Sequence, residues 1–132
     1  MTDDNDSKIL SLLKNDGRMS FVDIAKQIGL TEGAVRARVS KLIKQGTIRH
    51  FTVDTKDDVK AVVSVATSRA MSTTAVADSI RKLGVDRVYE ISGNYDILCL
   101  IESNSIEEVN ATVEKIRALE GVTDTSTSMV LK

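Results

Sequence analysis

The 132-residue chain has no proline and no tryptophan, one cysteine, one histidine, two tyrosines and two phenylalanines. A single cysteine, Cys99, excludes an internal disulfide and suits a reducing compartment. One cysteine with one histidine is too small a ligand set for a structural zinc site. The histidine, His50, has no Ser/Asp or Cys partner pattern around it, so nucleophilic catalysis of the triad kind has no support. No glycine loop of the P-loop or dinucleotide type is present. No run reaches the roughly 18 apolar residues of a membrane span. The acidic start, Met1-Thr-Asp-Asp-Asn-Asp6, lacks the apolar core of a secretory leader, and a cytoplasmic location is expected.

What is present is an ordinary globular composition, 28% charged and 42% hydrophobic, with 18 basic and 19 acidic residues. The near-neutral total hides an asymmetry. Residues 7–50 hold nine basic residues against three acidic, net +6, whereas residues 51–132 hold nine against thirteen, net −4. A basic first third is the part suited to a polyanion such as double-stranded DNA, although a solvated mixed-charge surface accounts for charge alone equally well.

Residues 1–50 read as three helices. Asp4 or Asp6 is placed to cap the first, whose Ile9, Leu10, Leu12 and Leu13 recur at helical spacing up to Asn15-Asp-Gly17. Ser20-Phe-Val-Asp23 resembles a capping box opening a second helix that Gly29 ends. Thr31 caps a third, running to about residue 45, with Gly46 as its natural stop. Two helices joined by a tight glycine-containing turn, the second rich in Arg and Lys, form a helix-turn-helix pattern. Thr47-Ile-Arg-His-Phe-Thr-Val53 then alternates and is β-prone, as a strand or wing, and the polar residues 54–58 read as a hinge.

The remainder alternates in type: a strand over 59–67, a helix capped by Ser72 or Thr73 and closed by Gly84, strands over 87–92 and 97–101 around Gly93-Asn94, a helix opened by Ser105-Ile-Glu-Glu108, and a last strand over 122–131. This β-α-β-β-α-β order predicts a ferredoxin-like sandwich, two helices on one face of a four-stranded antiparallel sheet. The fold class is therefore α+β: an N-terminal helix-turn-helix domain over 1–50, a strand or hinge linker over 51–58, and a C-terminal ferredoxin-like domain over 59–132. Ile97-Leu-Cys-Leu-Ile101 is apolar at five consecutive positions, so both faces of that strand want burial. Two helices cover only one, and a second copy packed sheet to sheet would cover the other.

Projected at about 100° per residue, the third helix turns Val35, Val39, Leu42 and Ile43 to the core. Gly33, Ala37, Ser40 and Lys44 lie opposite, Lys41 beside them, and Arg36 and Arg38 on the two flanks. Small outward residues let a helix enter a major groove about 12 Å wide, and the arginines are placed for phosphates or a guanine edge. Thr31 at the helix start and Arg18, Lys26 and Arg49 nearby complete the candidate DNA-binding set.

These residues, together with Asp6-Ser-Lys-Ile-Leu10, Leu13-Lys-Asn-Asp-Gly-Arg-Met-Ser20, Ile24-Ala-Lys-Gln-Ile-Gly-Leu-Thr31, Val35-Arg-Ala-Arg-Val39, Gly46-Thr-Ile48, Gly93-Asn-Tyr-Asp96 and Thr125-Ser-Thr127, resemble the Lrp/AsnC (leucine-responsive, or feast/famine) regulators along nearly the whole chain. The resemblance implies a transcription factor with an amino-acid-sensing C-terminal domain, and dimers that assemble to octamers with effector near the contacts between dimers. Ile43 stands where the family often has an acidic residue, and His50-Phe51 where it usually has Gly-Tyr.

A free amino acid needs an acceptor for its ammonium and N–H or hydroxyl donors for its carboxylate. Asp96 is the candidate acceptor, with the backbone at Gly93, Asn94 and Tyr95 as donors and Thr125, Ser126 and Thr127 as hydroxyls from a last strand expected beside the turn. Asp124 is a further candidate, for a basic effector side chain. Beyond that amino acid, no cofactor, metal or membrane partner is expected, and the protein is read as a non-enzyme. Competing readings are an amino-acid-binding regulatory module of an enzyme and an architectural, chromatin-like DNA binder. An RNA binder of the same strand order ranks lower, because the strand at 97–101 has no aromatic on which bases could stack.

Overall fold

The computed structural model describes residues 3–56, 58–85 and 87–132. They form two compact units, Met1–Asp54 and Thr55–Lys132, divided within the polar segment that reads as a hinge.

The first unit holds α1 (Asp4–Asn15), α2 (Phe21–Ile28) and α3 (Glu32–Lys44). The cap of α1 is Asp3 rather than Asp4 or Asp6. Its Oδ1 accepts from the Asp6 N–H at 2.8 Å, and Asp6 Oδ2 accepts from the Asp3 N–H at 3.4 Å, a reciprocal box built from two aspartates. Ser20 caps α2 by accepting from the Asp23 N–H at 3.1 Å. Ile9, Ile24, Ala25, Val35 and Val39 form the buried centre, with Leu12, Leu13, Met19, Phe21, Ile28, Leu30 and Ile48 packed around it. Burying an aliphatic side chain of this size is worth about 1.5–3 kcal/mol.

The strand or wing expected over 47–53 does not form. Ile48 donates its N–H to Leu42 O at 3.1 Å and tucks against the helices, while Phe51 and Val53 stay exposed. Alternation favours a strand only where a neighbour supplies a ladder, and none pairs with this segment among the described residues.

The second unit runs β1 (Val59–Thr67), α4 (Thr73–Lys82), β2 (Arg87–Glu90), β3 (Ile97–Ser103), α5 (Ile106–Arg117) and β4 (Val122–Met129), with sheet order β2-β3-β1-β4 and antiparallel neighbours throughout. This is the expected ferredoxin-like arrangement. Strand β2 stops at Glu90 because the chain turns there, the Ile91 N–H closing onto Asp96 O. Strand β4 runs to Met129, short of the expected end at 131; the Val130 N–H still donates to Lys60 O at 2.9 Å, while Leu131 is almost fully exposed.

Alternation puts Ala61, Val63, Val65, Val88, Ile97, Cys99 and Ile101 on one face, buried under Val76, Ala77 and Ile80 of α4 and Val109, Val113 and Ile116 of α5. The Cys99 thiol is pushed up to about 11 by that burial, which makes it packing rather than a nucleophile. The register places Val62 opposite Leu100, and Leu98 between Ser64 and Tyr89, on the face turned away from α4 and α5.

Gly121, between α5 and β4, is the glycine of this unit at which an added Cβ would meet neighbours, those at Gly84 and Gly93 having open space. Its carbonyl accepts from the Ser68 N–H at 2.8 Å. At φ +90 a Cβ there would lie 2.9 Å from Val76 Cγ2 and 3.2 Å from Met71 Sδ. Gly121→Ala therefore loses about 1–3 kcal/mol from combined strain and overpacking, read as a lower urea midpoint with an unchanged m-value.

Candidate nucleic-acid interface

The turn between α2 and α3 is three residues long. Gly29 sits at φ 74, a conformation costing an L-residue roughly 1 kcal/mol or more. It lets the Gly29 and Leu30 N–H groups both close onto Ala25 O, at 2.9 and 3.0 Å. Thr31 then caps α3, its Oγ1 accepting from the Ala34 N–H at 3.1 Å. Leu30 packs inward, so the turn is tied to the core and α3 leaves it at a fixed angle.

Helix α3 buries Val35, Val39 and Leu42. Ile43, read as a fourth core position, is 47% exposed instead, at the edge of the stripe that Val35, Val39 and Leu42 bury. Gly33, Ala37, Ser40, Lys41 and Lys44 are all exposed. A Cβ on Gly33 would meet nothing within 4 Å, so the missing side chain keeps the outer surface low rather than making room for a neighbour in the chain.

The two flanking arginines behave differently from the outward lysines. Arg36 pairs with Glu32 one turn back, and its guanidinium lies 5.2 Å from the Phe21 ring centroid, against the start of α2. Arg38 points the other way. Its Nη1 donates to Asp3 Oδ2 at 2.6 Å and to Asp6 Oδ1 at 3.0 Å. The Arg38 guanidinium, with the Asp6 N–H adding to it, holds the Asp3 carboxyl below the usual carboxylate range. Arg38 therefore does not stand with the free cations of the outward face, because both carboxylates at the head of α1 already hold it. Nothing in the sequence links residues 3 and 6 to residue 38; only the packing of α1 along α3 does. Arg18, Lys26 and Arg49 are exposed, and Lys26, Lys41, Lys44 and Arg49 have no carboxylate partner among the described residues.

The residues read as effector ligands are not gathered in one place. Gly93 and Asn94 are exposed, Gly93 at φ 132, with Tyr95 and Asp96 half-buried. Asp96 Oδ2 accepts from the N–H and the hydroxyl of Thr67, at 2.8 and 3.2 Å, and the Asp96 N–H donates to Val65 O at 3.0 Å. Asp96 thus ties the turn to the end of β1, and Thr67 is a member of this site that the sequence did not single out. The last strand does not neighbour the turn, because β1 lies between β3 and β4. Two strand spacings put β4 about 10 Å from β3. Asp124 and Ser126 fall on the open face opposite Ala66 and Ser64, whereas Thr125 and Thr127 fall on the helix side. Thr125 is buried and accepts from Arg117 Nε at 2.8 Å. Among the described residues no group of three or more His, Cys, Asp or Glu is arranged to hold a metal ion.

A winged helix-turn-helix DNA-binding family matches residues 2–49, and the Lrp/AsnC ligand binding domain matches residues 58–132. The chain belongs to the Lrp/AsnC family. Its relatives include the HTH-type transcriptional regulator LysM of Sulfurisphaera tokodaii, 39% identical over 133 residues that cover 98% of this chain and 95% of LysM. The LysM regulator of Saccharolobus solfataricus is 36% identical, covering 98% of this chain and 94% of its own. Among solved structures the fold is shared with the regulator MtbAldR, at TM-score 0.80 and 22% identity over 99% of this chain and 95% of that one. It is also shared with a Neisseria meningitidis transcriptional regulator solved in complex with L-Met, at TM-score 0.72 and 24% identity over 100% of this chain and 91% of that one. As an Lrp/AsnC protein the chain is a transcriptional regulator that joins a DNA-binding helix-turn-helix to a ligand-binding domain.

The free lysines on the outward face of α3 give a direct test. Lys41→Ala and Lys44→Ala each weaken duplex binding and lower the slope of log Kd against log salt by about one unit, measured by fluorescence anisotropy across a salt series.

Proposed function

We propose that this protein is a sequence-specific regulator of amino-acid metabolism whose hold on DNA is set by a free amino acid. The observation that carries the DNA half is the bare outward face of α3, with Gly33, Ala37 and Ser40 exposed in a strip that ends at Lys41 and Lys44. Thr31, Arg18, Lys26 and Arg49 are assigned to backbone contacts around it, and Arg36 to the edge of the groove beside Phe21.

The effector half rests on the Gly93–Asp96 turn. Asp96 spends one carboxylate oxygen on Thr67 and keeps acceptor capacity for an ammonium. The backbone at Gly93, Asn94 and Tyr95 offers donors to a carboxylate. That one neighbour of this fold was solved with L-Met is consistent with an amino acid of some kind. The ligand is assigned to the turn, and Asp124, Thr125, Ser126 and Thr127 are set aside because β1 separates them from it. On this reading the protein is no enzyme, needs no metal or prosthetic group, and works in the cytoplasm.

The working unit is a homodimer in which the open sheet face, centred on Val62, Leu98 and Leu100, packs on its copy; the octamer rests on family resemblance. Two heads related by a dyad favour a palindromic site. The effector acts by binding the DNA-bound and free arrangements with different affinity.

Selection from random duplexes, with and without a mixture of amino acids, tests both halves. The expected result is an enriched palindromic motif whose recovery changes with the mixture. Salt-sensitive retention without a motif points to the architectural reading, and a motif indifferent to every amino acid removes the sensing claim. For the dimer, Leu100→Arg puts a charge on the face to be buried and shifts the mass measured by light scattering at micromolar concentration to the 14.4 kDa monomer. A wild-type protein already monomeric there overturns the dimer.

A further inference from the structure

Among the described residues, Arg38 is the cation of α3 that carboxylates of another helix hold. A single nitrogen reaches two carboxylates, at 2.6 and 3.0 Å, and those carboxylates are fixed to each other by the reciprocal cap at the head of α1. The Asp6 side chain is only 10% exposed and Arg38 30%, so the contact is partly shielded from water, unlike the Lys8–Asp4 pair on the surface of α1. One arginine with two aspartates leaves a net charge of −1 at that spot, which repels a phosphate. For Arg38 to reach DNA it would have to abandon both partners and leave Asp6 buried without its counter-ion.

We propose that Arg38 is a positioning residue for DNA reading: by bridging Asp3 and Asp6 it fixes the rotation and tilt of α3 against α1, and so the register in which Gly33, Ala37, Ser40, Lys41 and Lys44 meet the groove. The apolar contacts of Ile9 with Val35 and Val39 hold the two helices together, but such contacts are non-directional and permit rocking. A helix the length of α3 is about 20 Å long, so a tilt of about 10° carries its end through roughly 3 Å. Base-edge hydrogen bonds tolerate a few tenths of an ångström. A directional bridge to the neighbouring helix is therefore what keeps the outward face in register. Both bonds come from Nη1, and the rigid guanidinium plane fixes the direction of its two N–H donors, where a lysine ammonium turns freely about its stem.

The inference rests on the reading of α3 as the helix that enters DNA, and the test separates the two. The full chain is compared with Asp6→Asn, Asp3→Asn, Arg38→Ala and Arg38→Lys on the duplex recovered by selection and on a scrambled duplex of equal length, across a salt series. A positioning role predicts that Asp6→Asn loses tenfold or more in affinity for the selected duplex although it removes a negative charge. Arg38→Ala does the same, both keep the wild-type affinity for scrambled DNA, and the salt slope of Arg38→Ala is unchanged. Arg38→Lys, retaining one bridge, recovers part of the loss. Asparagine is a good cap, so Asp3→Asn keeps α1 capped while removing the more exposed arm of the bridge. It is expected to fold as the wild type does and to lose severalfold in specific affinity, which keeps the test open should Asp6→Asn or Arg38→Ala fail to fold. A salt slope lower by about 0.9 in Arg38→Ala, the mark of a lost phosphate contact, overturns the inference. So does an Asp6→Asn or Asp3→Asn protein that binds the selected duplex as tightly as wild type or more so. A wild-type protein that does not distinguish the two duplexes instead removes the reading of α3, and this inference with it.

Discussion

Helix α3 is held on three of its sides, and that constraint makes the fourth usable. Val35, Val39 and Leu42 are sunk in the core of the first unit. Arg36 lies along Phe21 of α2, and Arg38 is gripped by Asp3 and Asp6 of α1. Each contact draws on a different interaction — apolar burial, a cation over a ring, a shared ion pair — so no single rotation of the helix keeps all three. What remains outside is a strip of small residues with two unpaired lysines. A surface that is to lie within hydrogen-bond distance of base edges needs this combination of a flat profile and a fixed orientation.

The second unit answers a different constraint. Strand alternation presents two faces, and α4 and α5 can cover only one of them. The uncovered face keeps Val62, Leu98 and Leu100 beside polar neighbours, a pattern suited to a partner surface more than to permanent solvent. The β2–β3 turn is pinned to the end of β1 through Asp96 and Thr67, so the backbone leading from Gly93 and Asn94 into β3 is tied into the sheet. Strain or order introduced at that turn reaches β1 directly, since Asp96 bonds both Val65 and Thr67.

Most of the fold was legible because its signals are local. Ser20, Thr31, Ser72 and Ser105 each announce a helix start by the hydrogen bond their side chain makes three residues on. Gly29, Gly46, Gly84 and Gly121 mark stops or turns by adopting positive φ. The apolar, β-prone runs at 59–67 and 97–101 are strands. Two failures share one cause, since each depended on a neighbour distant in sequence. The 47–53 segment has strand composition but no ladder beside it. The last strand pairs with β1, which stands between it and the turn it was expected to join.

The sequence by itself determined the order of elements, the two-part division, the helix-turn-helix with its basic second helix, and the face of α3 that points outward, because periodicity, capping and charge act within a few residues of where they are written. Only the tertiary structure decided what each charged side chain is for. Arg36, Arg38, Lys41 and Lys44 look alike in one dimension. They separate only when α1 and α2 settle against α3 and bring two carboxylates to one arginine and a ring to another, because Coulombic and hydrogen-bond contacts depend on distances of a few ångströms that chain spacing does not encode.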